Sequence, residues 1–331
     1  KIYSIEFFRI IFTIGIIVLH GFWTDWNMPL VKQFFSNMYL AVEMFFIISG
    51  YFLYNEIVKY DFAVFMKKRF LRLFPVYFAV MFLACYLLHN HHYTAVMANI
   101  FLLPVMGFEY IQPIVYYGWF MFPLFWVGLF YYCLFKNKNK NVIFITSLLV
   151  YFSYVALCTN RNTLNFPVAN FLYLFSGAVL RTVGGLGLGL IIAYAQPYVQ
   201  FNRSKLAKFG YSTVEGLLLL FVLRSLFCMS EANYCLLIVI AFCLLLMLCI
   251  QSAGFISQIL NKCSFLVCIS KYCYCCYLVS WLIIGLLIRY DTSVLQFITK
   301  VFLLSILGGI FMYHFVEQPL TTKKSIPVKS A

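Results

Sequence analysis

The first twenty residues, KIYSIEFFRIIFTIGIIVLH (Lys1–His20), form an apolar run long enough to cross a membrane as an α-helix. The run carries Arg9 in its body and His20 near its far end, and a passive anchor needs neither group. It is longer than the apolar core of a secretory signal, and no small-residue cleavage site follows it. We therefore predict a retained first transmembrane helix with two ionisable side chains.

The composition excludes a water-soluble protein. Of the 331 residues, 64% are hydrophobic and 10% are charged, whereas soluble domains are about 45–50% apolar and about 25% charged. The sequence therefore predicts an all-α polytopic membrane protein, with one integral-membrane domain over residues 1–331 and no soluble domain. The predicted spans are 2–22, 38–55, 72–89, 115–135, 141–158, 167–182, 211–228, 233–252, 265–289 and 294–317.

Two further apolar segments are predicted not to span. Residues 94–106 are short and contain Pro104, and residues 183–199, VGGLGLGLIIAYAQPYV, are rich in glycine. Apolar stretches of about 10–14 residues are often interfacial or re-entrant. With both segments left out, the chain has about ten transmembrane helices.

The net charge of +14 raises the alternative of nucleic-acid binding. The cations lie mostly in short clusters between the predicted spans, as in the loop 56–72 and in KNKNK at 136–140. This distribution is the positive-inside pattern of cytoplasmic loops, and it places both termini in the cytoplasm. Most of the charge is thus a topology signal, and no nucleic-acid partner is predicted.

Arg9 and His20 lie eleven residues apart, so in a helix their side chains fall within about 20° of each other and about 16 Å apart along the axis. An ionisable group inside a span costs at least about 2.5–3.5 kcal/mol and usually faces a bundle interior or a water-filled cavity. The alternatives are that Arg9 extends to the inner interface and that His20 lies at the outer one. The shared face favours a common internal passage.

Glu43 lies about one and a half turns into the second predicted helix, at a depth similar to that of His20. Consecutive antiparallel helices are usually neighbours, so a His20–Glu43 pair is expected. A carboxylate beside an imidazole fixes its tautomer and raises its basicity, as a general base requires. Ser49 and Gly50 then supply small residues where a backbone or a ligand can approach closely, although helix packing alone also explains them.

The stretch MKKRFLRLFPVY places Arg69 and Arg72 on one helical face, with Lys67 and Lys68 beside them. Two guanidinium groups on one face can hold phosphate oxygens in bidentate fashion. Attraction to lipid headgroups, together with topology, is the alternative.

Other polar features carry weaker signals. Glu317 lies at the inner end of the last helix in YHFVEQPL, and His314 is assigned to packing or to the interface. HNHH (89–92) resembles a run of metal ligands but lacks supporting cysteines or acids, and KYCYCCYLV (271–279) contains a single Cys-x-x-Cys. No metal site is predicted, because structural zinc needs four ligands.

Together these motifs resemble the acyltransferase 3 family, polytopic membrane enzymes that acylate carbohydrates and related acceptors, commonly at the bacterial envelope. The matching motifs, in family order, are Arg-x10-His (Arg9, His20), an acidic residue before FFxxSG (Glu43, Ser49, Gly50), paired arginines before P-x-Y (Arg69, Arg72), and VEQP (Glu317). Two positions depart from the pattern. Ser280 stands where many members have the histidine of YLxH, and WFMFPLF (119–125) lacks the acid of W-x-L-x-x-E.

The resemblance implies an O-acyltransferase, and specifically an O-acetyltransferase, in the bacterial cell membrane. Its donor would be acyl-CoA, usually acetyl-CoA, which approaches from the cytoplasm, and its acceptor a cell-envelope carbohydrate or lipid-linked glycan. Arg69, Arg72 and Lys68 would hold the donor phosphates. His20, oriented by Glu43, would act as base or relay, and Arg9 would stabilise anionic charge.

The competing class is a multipass transporter or flippase of an envelope glycan or a small anion, because it too would use intramembrane Arg, His and Glu. No inverted repeat is visible in the sequence, which counts against this class. The sequence leaves open the identity of the acceptor, acetyl against succinyl as the acyl group, and the oligomeric state.

Overall fold

The chain folds into a bundle of α-helices. The computed structural model describes residues 2–22, 33–88, 93–107, 111–137, 140–161, 164, 170–171, 175–202, 204–227, 234–288 and 293–322. The longer helices are α1 (Tyr3–Phe22), α2 (Leu40–Lys59), α3 (Phe62–Leu88), α4 (Tyr93–Ile100), α5 (Met121–Lys136), α6 (Val142–Arg161), α7 (Gly177–Ala195), α8 (Lys205–Leu226) and α9 (Cys235–Gln251). They are followed by α10 (Phe255–Leu260), α11 (Leu266–Ser270), α12 (Cys273–Leu287), α13 (Val294–Met312), a π-helix (Tyr313–Glu317) and α14 (Gln318–Thr322).

Short elements connect these helices. They are the 3₁₀ turns Ser36–Tyr39 and Tyr116–Phe120, and two antiparallel strands of two residues each, β1 (Asn170–Phe171) and β2 (Phe175–Ser176). Within the described part of the chain, nine helical segments are long and apolar enough to cross a membrane, and α9 is a shorter apolar helix of 17 residues. The prediction of an all-α polytopic membrane protein with about ten helices is confirmed. The cytoplasmic placement of the termini stays a prediction.

The predicted boundaries around the glycine-rich segment were wrong. The expected span 167–182 and the expected unspanned segment 183–199 are replaced by one helix, α7, which begins after Ser176. The Ser176 side chain accepts a hydrogen bond from the backbone N–H of Val179 and so caps the helix start. Because one observed helix replaces one predicted span, the expected number of helices and the alternation of their directions across the membrane are unchanged.

The glycines of α7 allow it to lie very close to α2. A β-carbon at Gly189 would overlap the α2 backbone near Gly50, and one at Gly185 would overlap the side chain of Phe46. Small residues at a helix interface permit this approach inside a membrane, where packing rather than burial from water drives association. The segment is therefore a packing surface, although its glycines resemble a helix break in the sequence. Gly50, predicted as a site of close approach, meets the Leu186 backbone here.

The predicted loop 56–72 is almost entirely helical. Only Tyr60 and Asp61 separate α2 from α3, and the Asp61 carboxylate accepts a hydrogen bond from the Val64 N–H at the start of α3. The predicted cationic residues therefore occupy fixed positions on two helix ends. We call this end of the bundle the basic end.

Residues 94–106 do not span, as predicted. They form α4 and a turn in which Leu102 and Val105 have positive φ angles. The buried Asn99 organises the segment, since its amide accepts hydrogen bonds from Tyr77 and from the Ile114 N–H.

Candidate active site

A cavity of about 1070 Å³ opens at the basic end and runs into the bundle. Its mouth is lined by six cationic side chains: Lys59, Lys67, Lys68, Arg69, Arg72 and Lys271. Both Val42 and Glu56 of α2 line it, and this separation of fourteen positions corresponds to about 21 Å of helix. The cavity therefore follows α2 through much of a hydrocarbon core that is about 30 Å thick.

Arg69 is held rigidly at this mouth. Its side chain is only 9% exposed, and it donates a hydrogen bond of 2.9 Å from Nη2 to the Leu124 carbonyl of α5. The guanidinium lies against Gly128, where a β-carbon would stand 2.7 Å from the guanidinium carbon. A glycine at this position thus makes room for a buried cation.

Arg72 and Lys68 are the more accessible of the predicted phosphate-binding residues. Arg72 is 55% exposed, and its Nη1 lies 4.0 Å from Glu56 Oε1. Lys68 donates a hydrogen bond of 2.9 Å to the Tyr60 hydroxyl, and this bond lowers the pKa of Tyr60. Arg69, Arg72 and Lys68, which were predicted from the sequence as one set, therefore line one cavity.

Arg9 lies further along the same cavity, on α1. Its Nη1 is 3.1 Å from Glu6 Oε2, one turn earlier on the helix. Thr13 and Ile16 continue the cavity wall on the same face of α1. The prediction that Arg9 faces an internal passage is consistent with this lining, whereas its ion pair with Glu6 was not anticipated.

His20 lies just beyond the deep end of the cavity. Ile16, one helical turn earlier, lines the cavity, and so does Tyr277, whose ring centroid is 6.2 Å from that of His20. The imidazole stacks on the Tyr117 ring at a centroid distance of 3.7 Å and an interplanar angle of 14°. It makes no hydrogen bond within the described part of the chain, so neither ring nitrogen is committed to a partner there.

Glu43 contacts different residues from those predicted. It forms a buried ion pair with Arg181 of α7 and accepts a hydrogen bond of 3.1 Å from the Tyr154 hydroxyl. The predicted His20–Glu43 hydrogen bond is not found among the described residues. The carboxylate is already occupied, because α7 packs directly on α2 and brings a cation to it.

Arg181 is the main residue that the sequence analysis missed. It is fully buried, donates a hydrogen bond of 3.1 Å to the Tyr39 carbonyl, and lies 5.2 Å from the centre of the Trp119 ring. An arginine inside an apolar helix was the available signal. The misplaced helix boundary put it near the end of a span and so concealed that signal.

Of the remaining motif residues, some line the cavity and others are buried between helices. Ser49 and Glu317 line the cavity, and Glu317 accepts a hydrogen bond of 3.0 Å from the Cys275 thiol. Glu317 belongs to the π-helix, a form often found at functional sites. Ser280, at the position of the family histidine, is buried and donates to the Tyr277 carbonyl at 2.7 Å.

No group of three or more potential metal ligands occurs among the described residues. His89, His91 and His92 of the HNHH run lie outside the described residues, so the structure does not bear on them.

The sequence was compared with known proteins and families. The model of one family, described as Acyltransferase domain, matches residues 2–314, which is nearly the whole chain. No curated protein and no solved structure matches the chain.

Proposed function

Because the chain belongs to the acyltransferase 3 family, we propose that it is an integral-membrane O-acetyltransferase of the bacterial cell membrane. The acetyl group moves from cytoplasmic acetyl-CoA to a hydroxyl of a cell-envelope carbohydrate or lipid-linked glycan. The observation that carries this proposal is one cavity with a cationic mouth and an aromatic deep end beside His20.

The cationic mouth suits the phosphate groups of coenzyme A. Arg69 and Arg72 offer guanidinium groups one helical turn apart, and Lys68 adds a third cation. With the phosphates at the mouth, the extended pantetheine arm follows α2 into the bundle. A path of about 21 Å matches a long, flexible arm, and the apolar walls suit its uncharged atoms.

At the deep end, His20 acts as the general base. It accepts the proton of the acceptor hydroxyl while that oxygen attacks the thioester carbonyl and the carbon–sulfur bond breaks. The protonated imidazole then returns the proton to the departing thiolate, so that CoA leaves as a thiol. The stacked Tyr117 ring fixes the plane of the imidazole, and Arg9 stabilises negative charge along the path.

Donor binding can be tested at a native cysteine. Cys273 lines the cavity, whereas Cys133 on α5 is exposed elsewhere. We expect acetyl-CoA to slow the modification of Cys273 by a small maleimide several-fold and to leave Cys133 unchanged, because bound donor blocks the cavity. The measurement is the rate of modification of each cysteine, by peptide mass spectrometry, in full-length protein in nanodiscs. Equal rates at Cys273 with and without acetyl-CoA would contradict the proposal.

Gly128→Ala provides a second prediction without altering any charged residue. The new methyl group must displace the Arg69 guanidinium, so we expect the KM for acetyl-CoA to rise about tenfold or more, which corresponds to about 1.4 kcal/mol, with a smaller change in kcat. The measurement is acetyl transfer as a function of acetyl-CoA concentration.

Gly210→Ala is the matched control for this variant. Gly210 is exposed on α8, and a β-carbon there would have no described heavy atom within 4 Å apart from its chain neighbours and the adjacent backbone of its own helix. Its KM should equal that of the unmodified protein. An unchanged KM in Gly128→Ala would remove Arg69 from donor binding.

A further inference from the structure

Glu56 is an acidic residue in the middle of the cationic mouth. Its Oε2 lies 3.7 Å from Arg69 Nη1 and its Oε1 lies 4.0 Å from Arg72 Nη1. It lines the main cavity and also a neighbouring space of about 370 Å³ that includes Arg9, Lys59 and Lys68. A carboxylate at this point opposes the binding of phosphate, so donor binding alone does not explain it.

The two ion pairs of Glu56 with Arg69 and Arg72 are long. Both distances exceed the length of a hydrogen bond, and the carboxylate of Glu56 accepts no hydrogen bond within the described part of the chain. The Glu56 side chain is 33% exposed, so it can turn toward water. Buried Arg69 keeps its separate bond to the Leu124 carbonyl, which holds its guanidinium in place without Glu56.

We propose that Glu56 is a specificity-determining counter-ion that the donor phosphates displace from Arg69 and Arg72. This inference rests on the proposed function. In the free protein, the Glu56 carboxylate offsets part of the positive charge of the two guanidinium groups. A phosphate-bearing ligand must exchange with it, so the affinity for acetyl-CoA and for the product CoA is lower than the cations alone would give.

This arrangement favours product release. CoA carries the same phosphates as acetyl-CoA, so a site that held the donor very tightly would hold the product equally tightly and slow turnover. Returning Glu56 to the two arginines compensates their charge as CoA leaves. Only a ligand with enough phosphate charge to replace Glu56 at both cations binds well, which selects acyl-CoA over acyl thioesters without the nucleotide.

The opposite reading is that Glu56 serves to position the two arginines. Removing it would then disorder the guanidinium groups and weaken the binding of phosphate. The two readings therefore predict effects of opposite sign on the same measured affinity.

The test is the affinity of full-length protein in nanodiscs for CoA, measured by calorimetry for the unmodified protein and for Glu56→Gln. We expect Glu56→Gln to bind CoA about tenfold more tightly, with the difference shrinking as salt rises from about 50 mM to about 500 mM because exposed charges are screened. In transfer assays, its KM for acetyl-CoA and its kcat should both fall.

Asp61→Asn is the matched control. Asp61 lines the same cavity but contacts neither arginine in the described structure, and asparagine keeps the oxygen that accepts the Val64 N–H. It removes one negative charge from the mouth and should change the CoA affinity much less than Glu56→Gln does.

The possible outcomes distinguish failure of the Glu56 inference from failure of the proposed function. Tighter binding in Glu56→Gln but not in Asp61→Asn supports the counter-ion. Unchanged or weaker binding in Glu56→Gln overturns it, as does an equal gain in both variants, and the proposed function then stands. If the unmodified protein does not bind CoA, the proposed function itself fails.

Discussion

Replacing His20 by alanine is expected to reduce acetyl transfer by about 10²–10⁴-fold, the usual contribution of a general base. The reduction follows from the position of His20 beside the deep end of the cavity, where it is the one described imidazole. His314, the other described histidine, lies elsewhere. The measurement is the incorporation of labelled acetyl groups into envelope glycans by cells that contain equal amounts of each variant.

His314→Ala is the matched control. His314 forms hydrogen bonds with Tyr272 and Gln318, and its removal should leave transfer nearly unchanged. The His20→Ala protein should still protect Cys273 when acetyl-CoA binds, because the donor contacts are intact. Undiminished transfer by His20→Ala would exclude His20 from the chemistry.

Replacing Arg181 by methionine is expected to destabilise the protein by about 3–5 kcal/mol, because it leaves the buried Glu43 carboxylate without its counter-ion. Glu43 and Arg181 are both fully buried, so water cannot replace the lost partner. The measurement is thermal unfolding in nanodiscs, together with the amount of folded protein in the membrane.

The double variant Arg181→Met/Glu43→Gln should recover most of this stability. It removes both charges, and glutamine still offers an oxygen to the Tyr154 hydroxyl. The Tyr39 carbonyl loses a donor, which leaves a residual cost of about 1 kcal/mol. If the double variant were as unstable as Arg181→Met, the ion pair would not be the cause.

The same double variant tests the predicted catalytic role of Glu43. The carboxylate contacts Arg181 and Tyr154 rather than His20. We therefore expect the correctly folded double variant to retain acetyl transfer. Loss of transfer in a protein of normal stability would restore Glu43 as a partner of the base.

The sequence pattern grouped Arg9, Arg69 and Arg72, which line one cavity, whereas His20 and Glu43, predicted on the same passage, do not line it. Arg69 and Arg72 are one turn apart on α3, and Arg9 points inward from α1, so local spacing and helix ends were sufficient to group them. The membrane class and the number of helices followed from composition and run length. These features depend on residues that are near one another in the sequence.

The partners of buried groups could not be predicted in the same way. The contact between Glu43 and Arg181 joins α2 to α7, which are separated by more than a hundred residues. Periodicity predicts the face that a side chain occupies, but it does not predict which helix packs on that face. The glycines of α7 also made this helix hard to recognise in the sequence. They allow α2 to pack closely on α7, and that packing partner is not visible in the sequence.

The joined pair of α2 and α7 has a consequence for how the cavity changes shape. The Glu43–Arg181 ion pair fastens the two helices at one end, and the Tyr51 hydroxyl donates a hydrogen bond of 2.9 Å to Gln196 toward the other. Between these two contacts the backbones of α2 and α7 pack closely at Gly50 and Gly189, which leaves no space for one helix to slide along the other. We therefore expect α2 and α7 to move as one rigid body, and any change in the shape of the cavity to come from α1, α3 and α12, which also line it.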